Sequence, residues 1–176
     1  GFRLKSGVDL TLPDSLHAVW NERVSKLAAD LPAKALTFLE RAAVLGDRVW
    51  DTEWALVCRG FESAESDVEA TVTHRNIGRI RQQLTDCLYE RRMAIREESG
   101  WRFSHPLLRE SVLRLAKEGG RLQEHHRVCV EFLRHYGIPS APGYSDRLGK
   151  HLQAIDETEE ALAAMLEASK SWSLAQ

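Results

Sequence analysis

The stretch GWRFSHPLLRESVLRL, residues 100–115, constrains the fold most, because two incompatible periodicities meet inside it. Trp101, Arg102, Phe103 and Ser104 alternate aromatic and polar, the period-two pattern of a half-buried strand. Leu108, Val112 and Leu115 then recur at the i, i+4, i+7 spacing of one helix face. His105 falls at the corner between them, and Pro106 suits a first helical position because it has no N–H to leave unpaired. A helix start carries free N–H groups and partial positive charge. His105 is therefore either a structural cap or a group that meets an anion such as a phosphate.

The rest of the chain reads as helices arranged around that seam. Leu16, Val19, Trp20, Val24 and Leu27 form one apolar face, which predicts a helix over 15–29 behind Pro13-Asp14-Ser15. Leu31-Pro32 breaks it. Leu36, Leu39 and Ala43 predict a second, most buried helix over 33–45, stopped by Gly46. Asp51 or Thr52 can cap a short helix carrying Trp54, Val57 and Cys58 up to Gly60. Residues 62–76 are polar and irregular and read as a loop with a partial helix. Thr73 can cap a longer helix to about Arg91, with Ile77, Ile80, Leu84, Cys87 and Leu88 at spacings of three and four.

Residues 93–105 read as two strands with a turn at Ser99-Gly100. Helix, helix, helix, hairpin is the order of a winged helix. Two more helices follow, 106–117 and 121–136, separated by Gly119-Gly120, with Leu122, Cys129, Phe132, Leu133 and Tyr136 on the apolar side of the second. GIPSAPG, 137–143, is the best internal boundary, with two prolines and two glycines. Beyond it, 144–155 and 158–172 predict a helical hairpin whose alanines at 161, 163, 164 and 168 allow close contact. One such hairpin cannot bury its own face, so it resembles the first unit of a helical repeat.

The expected architecture is mainly α: a winged helix with a three-helix core and a β-hairpin, followed by a helical hairpin. The expected divisions are 1–14, the end of a preceding domain or a linker, where Phe2 and Leu4 alternate like a strand end; 15–137, the winged helix with its C-terminal helices; and 138–176, the helical extension.

A formal net charge of −2 in 176 residues gives no overall drive toward nucleic acid or an anionic membrane, so any such function rests on local clustering. Arg75, Arg79, Arg81, Arg91, Arg92 and Arg96 do cluster on the third long helix and the hairpin, where DNA-binding winged helices read a groove. Asp86, Glu90, Glu97 and Glu98 interrupt them, which favours a solvated or domain-contacting face over DNA. No apolar run reaches the roughly 18 residues of a membrane span, so no membrane partner is expected. Three widely spaced cysteines, Cys58, Cys87 and Cys129, read as free buried thiols in a reducing compartment, which predicts a cytoplasmic protein.

No G-x-x-x-x-G-K-[ST] loop is present, so no catalytic machinery is expected in this chain. His125 and His126 point about 100° apart on a helix and are not expected to chelate a metal together. His17, His74, His135 and His151 read as isolated. Trp20, Trp50, Trp54 and Trp101 are expected as core anchors, and Trp172 as an exposed residue near the end of the last helix.

Four segments carry a family resemblance: LPDSLHAVWNERVSKL, ALTFLERAAVLGDRVW, LYERRMAIREESGWRFSHPLLRESVLRL and HLQAIDETEEALAAMLEAS. Their order and spacing over nearly the whole chain resemble the region after the ATPase core in bacterial STAND-type signalling NTPases. That group includes regulators similar to the maltose activator, LuxR-tailed ATPases, and multidomain kinases and cyclases with an AAA-type module. The resemblance implies a winged helix followed by the start of a tetratricopeptide-like (TPR-like) superhelix. It implies a non-catalytic regulatory fragment whose parent protein binds ADP or ATP. The partners implied are an adjacent nucleotide-binding domain and a protein or ligand held by the repeats.

In plant and animal relatives a Met-His-Asp motif at the wing-to-helix corner puts a histidine near the ADP β-phosphate. FSHPLLRE is similar in placement, so His105 is the matching position for a phosphate sensor, with Ser104 and Pro106 where Met and Asp would stand. The alternatives are a DNA-binding winged-helix transcription regulator and a pure protein-interaction scaffold.

Overall fold

The apolar stripes of the central helices become their buried sides, whereas Val19 on the first helix and Leu162 and Leu166 on the last are exposed. A computed structural model describes residues 14–60, 67–139 and 143–173. The chain is mainly helical, with a small three-stranded antiparallel sheet. Helix α1 (Asp14–Ala29) buries Val24 and Leu27, and α2 (Lys34–Leu45) buries Ala35, Phe38, Leu39, Ala42 and Ala43. Strand β1 (Arg48–Trp50), α3 (Asp51–Arg59) and α4 (Asp67–Glu90) follow. Strands β2 (Ala94–Glu97) and β3 (Gly100–Phe103) come next. Helices α5 (Pro106–Glu118), α6 (Leu122–Tyr136), α7 (Tyr144–Ala154) and α8 (Thr158–Ser173) complete the described chain. Phe2 and Leu4, the expected strand end, lie outside the described residues, as does the side chain of Trp172.

Helix α2 is central, touching α3, α4, α5 and α6. The main core joins α1 to α5 and the sheet, with Trp54, Leu84, Leu88, Trp101, Phe103 and Leu108 almost fully buried. Burial of each leucine contributes roughly 1.5–3 kcal/mol. Trp54 meets Trp101 edge-on at 5.5 Å, and its Nε1–H donates to the Phe38 carbonyl at 2.8 Å. That bond satisfies the one polar atom such a buried ring carries. A second cluster, including Val44, Val57, Val128 and Phe132, joins α2 and α3 to α6. A third, Val130, Leu152 and Ala161, joins α6 to α7 and α8. Helix α6 therefore stands between the sheet-bearing part and the helical hairpin.

The structure departs from expectation at several places, the first being that α3 begins at Asp51 with Trp50 at its N-cap position, so neither Asp51 nor Thr52 caps it. Helix α4 begins at Asp67, so Thr73 lies inside it and does not cap it; Val68 and Val72 already extend its apolar spacing of four. Strand β1 pairs with β3, giving the order β1-β3-β2, a third strand that a three-residue segment cannot announce by alternation. The hairpin turn falls on Glu98 and Ser99, and Gly100 opens β3 directly opposite Trp50. A Cβ at Gly100 would collide with the Val49 carbonyl oxygen and come within 3.1 Å of the Trp50 Cα, so this glycine serves the crossing of β1 and not the turn. Finally, Trp50 is 41% exposed and Tyr136 is also exposed. Trp50 shares the outer face of its strand with Arg48, because side chains alternate along β1 and Val49 takes the inner side.

Candidate functional site

At the corner, His105 is extended (φ −150°, ψ 137°) and its Nδ1 accepts a hydrogen bond from the Leu107 N–H at 3.1 Å. This is an N-cap, satisfying one of the donors that a helix start leaves free. An accepting Nδ1 places the ring proton on Nε2, which has no partner among the described residues. The exposed ring stacks on Trp20 of α1, with centroids 5.6 Å apart and planes inclined by 27°. The Arg23 guanidinium lies 4.7 Å from the same indole, and its Nη2 donates to the Arg91 carbonyl at 2.7 Å. Helix α1 thus fixes the corner ring from one side.

The six arginines are engaged to different degrees. Arg75 and Arg79 are exposed on α4, and Arg92 is exposed just past its end with a left-handed φ of 54°. Arg81 is committed to the protein: its guanidinium lies 4.6 Å over Trp54 and donates to the Asp51 carbonyl at 3.0 Å. Burial lowers its pKa from the ordinary arginine value. Arg91 is committed as well, by an ion pair to Asp30 that ties the end of α4 to the end of α1. Arg96 lies over the Tyr89 ring at 4.5 Å. Arg81, Arg96 and Tyr89 line a cavity of about 530 Å³, but Asp51, Glu97 and Glu98 line it too. Local attraction for a polyanion is correspondingly weakened.

The densest polar arrangement lies elsewhere, along α6. Glu40 of α2 is completely buried, and its carboxylate accepts from Arg121 Nη2 at 2.6 Å and Nε at 3.0 Å, and from His125 Nε2 at 2.8 Å. Burial pushes the Glu40 carboxyl up, but the hydrogen bonds and charges of His125 and Arg121 outweigh it and hold the group below the ordinary range. Arg147 of α7 grips Glu53 of α3 through two bonds of 2.9 and 2.8 Å. His126 of α6 and His151 of α7 meet Nδ1 to Nδ1 at 2.9 Å. Burial lowers the pKa of both imidazoles, that of His151 to about 3. Arg134 of α6 reaches Glu160 of α8 at 2.6 Å.

Sequence reasoning missed this junction. Glu40 stands four residues after Leu36, inside an apolar stripe, and His125 stands three after Leu122 and four before Cys129. A charged or titratable residue on a buried face was the available signal. His151, three after Leu148 and four before Ile155, and His126, four after Leu122, carried the same signal, but nothing local says that two helices will bring them together. His74, also read as isolated, contacts Arg59 Nη2 at 2.9 Å. His125 and His126 do turn to different partners, as adjacent helical residues should. Cys58 and Cys129 are buried free thiols, each pushed up to about 12 by burial, so neither is an activated nucleophile.

Among the described residues, no group of three or more His, Cys, Asp or Glu could hold a metal ion, and no helix is long and apolar enough to cross a membrane. No family model matches the chain, and neither curated proteins nor solved structures give a match.

Proposed function

We propose that the chain is a non-catalytic regulatory module of a STAND-type signalling NTPase. In this reading a winged helix meets an adjacent nucleotide-binding domain that holds ADP or ATP, and a TPR-like hairpin senses a protein partner or ligand. The order α2-β1-α3-α4-β2-β3, with β3 central in the sheet, supports the winged-helix assignment. The observation that carries the proposal is the set of polar contacts at α6 and beside it, between α3 and α7. Glu40 with Arg121 and His125, Glu53 with Arg147, and His126 with His151 tie the sheet-bearing part to the hairpin by buried or half-buried polar contacts. A displacement of the hairpin must strain or break those contacts, which gives a physical route for a signal between the two ends.

His105 takes two roles in this scheme. Its Nδ1 caps α5 and so orients the ring, and its Nε2–H is offered to a phosphate across the domain boundary, favouring the ADP-bound state. Arg75 and Arg79 are what a DNA-binding alternative would use, and the engagement of Arg81 and Arg91 with the protein weighs against it. The test measures ADP and ATP affinity of the protein carrying both this module and the nucleotide-binding domain, for wild type and His105→Asn. Asparagine keeps an N-cap acceptor, so the melting temperature should hold while ADP affinity drops about tenfold and ATP affinity does not. Equal ADP affinities would overturn the sensor role, and strongly salt-dependent binding of duplex DNA would replace the proposal with the alternative.

A further inference from the structure

Strand pairing places Arg48, Arg102 and Ile95 in one row and Trp50, Gly100 and Glu97 in the next, all on the outer face of the sheet. The opposite face carries Val49, Trp101, Phe103 and Ala94 and is buried. On the outer face Trp50 and Ile95 are 41% and 40% exposed at opposite corners. Between them Glu97 accepts from Arg48 Nε at 2.6 Å and from Arg102 Nε at 3.3 Å. Two guanidiniums share one carboxylate, so the face keeps an excess positive charge beside an exposed tryptophan. Trp and Arg are the side chains most enriched at the energetic centres of protein interfaces.

A complementary stripe exists on the same chain. Glu159, Leu162, Ala163 and Leu166 follow the i, i+3, i+4, i+7 spacing on α8, and all four are exposed, the leucines at 60% and 54%. Glu160 is taken by Arg134, whereas Glu159 makes no ion pair among the described residues. The stripe is therefore apolar with an excess negative charge at one end. From Glu159 to Leu166 a helix rises about 10 Å. That equals the distance from β1 to β2, two strand spacings of about 4.8 Å. Leucines can then rest on Trp50 or Ile95 while the Glu159 carboxylate reaches Arg48 or Arg102.

We infer that the outer face of the sheet in one copy of this chain receives the Glu159–Leu162–Leu166 stripe of α8 from a second copy, head to tail. The two patches differ, so the contact is heterologous and each copy keeps one unfilled face, as in rings and open chains. Both patches are small, which places the association in the weak, salt-sensitive class.

Sedimentation of the chain over a range of concentrations, at low and high salt, tests this. The expected result is a mass that grows with concentration past the dimer and falls back at high salt. Trp50→Ala and Leu162→Glu should each lower the apparent association constant about tenfold or more, with unchanged circular dichroism. Mixing the two variants should restore dimers and nothing larger, because each supplies the face the other lacks. Arg48→Glu mixed with Glu159→Arg, which leaves the apolar residues untouched, provides both the native and a charge-swapped contact, so each variant alone should associate weakly while the mixture grows past the dimer again. A monomer at every concentration, a dimer that either variant leaves intact, or mixtures that stay monomeric would each overturn the inference.

Discussion

His151 should make the stability of this protein fall steeply as pH drops from neutral, and replacing it should flatten that dependence. Its imidazole is buried, shares a 2.9 Å contact with His126, and has its pKa lowered from 6.5 to about 3 by burial first and then by His126, Arg147 and Lys150. Burial first, and then the charges of His125 on its own helix and of Arg109 on α5, lower the pKa of His126 too. Every named neighbour is a cation or another imidazole, so a proton added to the pair finds no compensating acid. Between pH 6.5 and about 3 the unfolded imidazole binds a proton that the folded one refuses. Stability is therefore fully present above pH 6.5 and is lost as pH falls toward the folded value.

At pH 5 an unfolded imidazole of ordinary pKa gains about 2 kcal/mol from protonation, at 1.36 kcal/mol per unit below 6.5. Carboxylates, whose ordinary value is 4.5, contribute little in that window. Urea denaturation at pH 7 and pH 5 should then show a loss of about 2 kcal/mol assignable to His151, with a further loss of the same sign from His126. In His151→Leu that share of the loss should vanish, whatever the variant's stability at pH 7. If His151→Leu keeps the wild-type difference between the two pH values, the buried pair is not the source and the reasoning fails.

Glu40→Ala removes the acceptor of both Arg121 and His125 and leaves a buried imidazole without a partner, so it should cost about 3 kcal/mol in urea denaturation at pH 7. A cost under about 1 kcal/mol would mean that the carboxylate adds little beyond packing. Gly100→Ala forces a methyl group onto the Val49 carbonyl and the Trp50 Cα, both backbone, so no rotamer change relieves it. It should destabilise by about 2 kcal/mol or more and speed hydrogen exchange in β1 ahead of β2; unchanged exchange in β1 would refute the account of this glycine.

Helix α2 illustrates what the sequence by itself determined: its stripe of Leu36, Leu39 and Ala43 and its stop at Gly46 gave a helix over 33–45, and the structure has one over Lys34–Leu45. The corner at His105 was legible for the same reason, since a cap acts within two residues of its own position. These signals are local, arising from periods of 2 and 3.6 residues and from what a helix start leaves unpaired. Tertiary structure decided the rest. Periodicity says which side of a helix is apolar, but not how far one helix is shifted or turned against another, and only that placement set Glu40 against His125 and His126 against His151. It also laid β1 across Gly100 and turned Trp50 outward, because a three-residue strand is fixed by its neighbour's hydrogen bonds and not by its own pattern. Thus the sequence announced the helices and the corner, while the polar junction that joins the two parts of the molecule arose only when distant segments met.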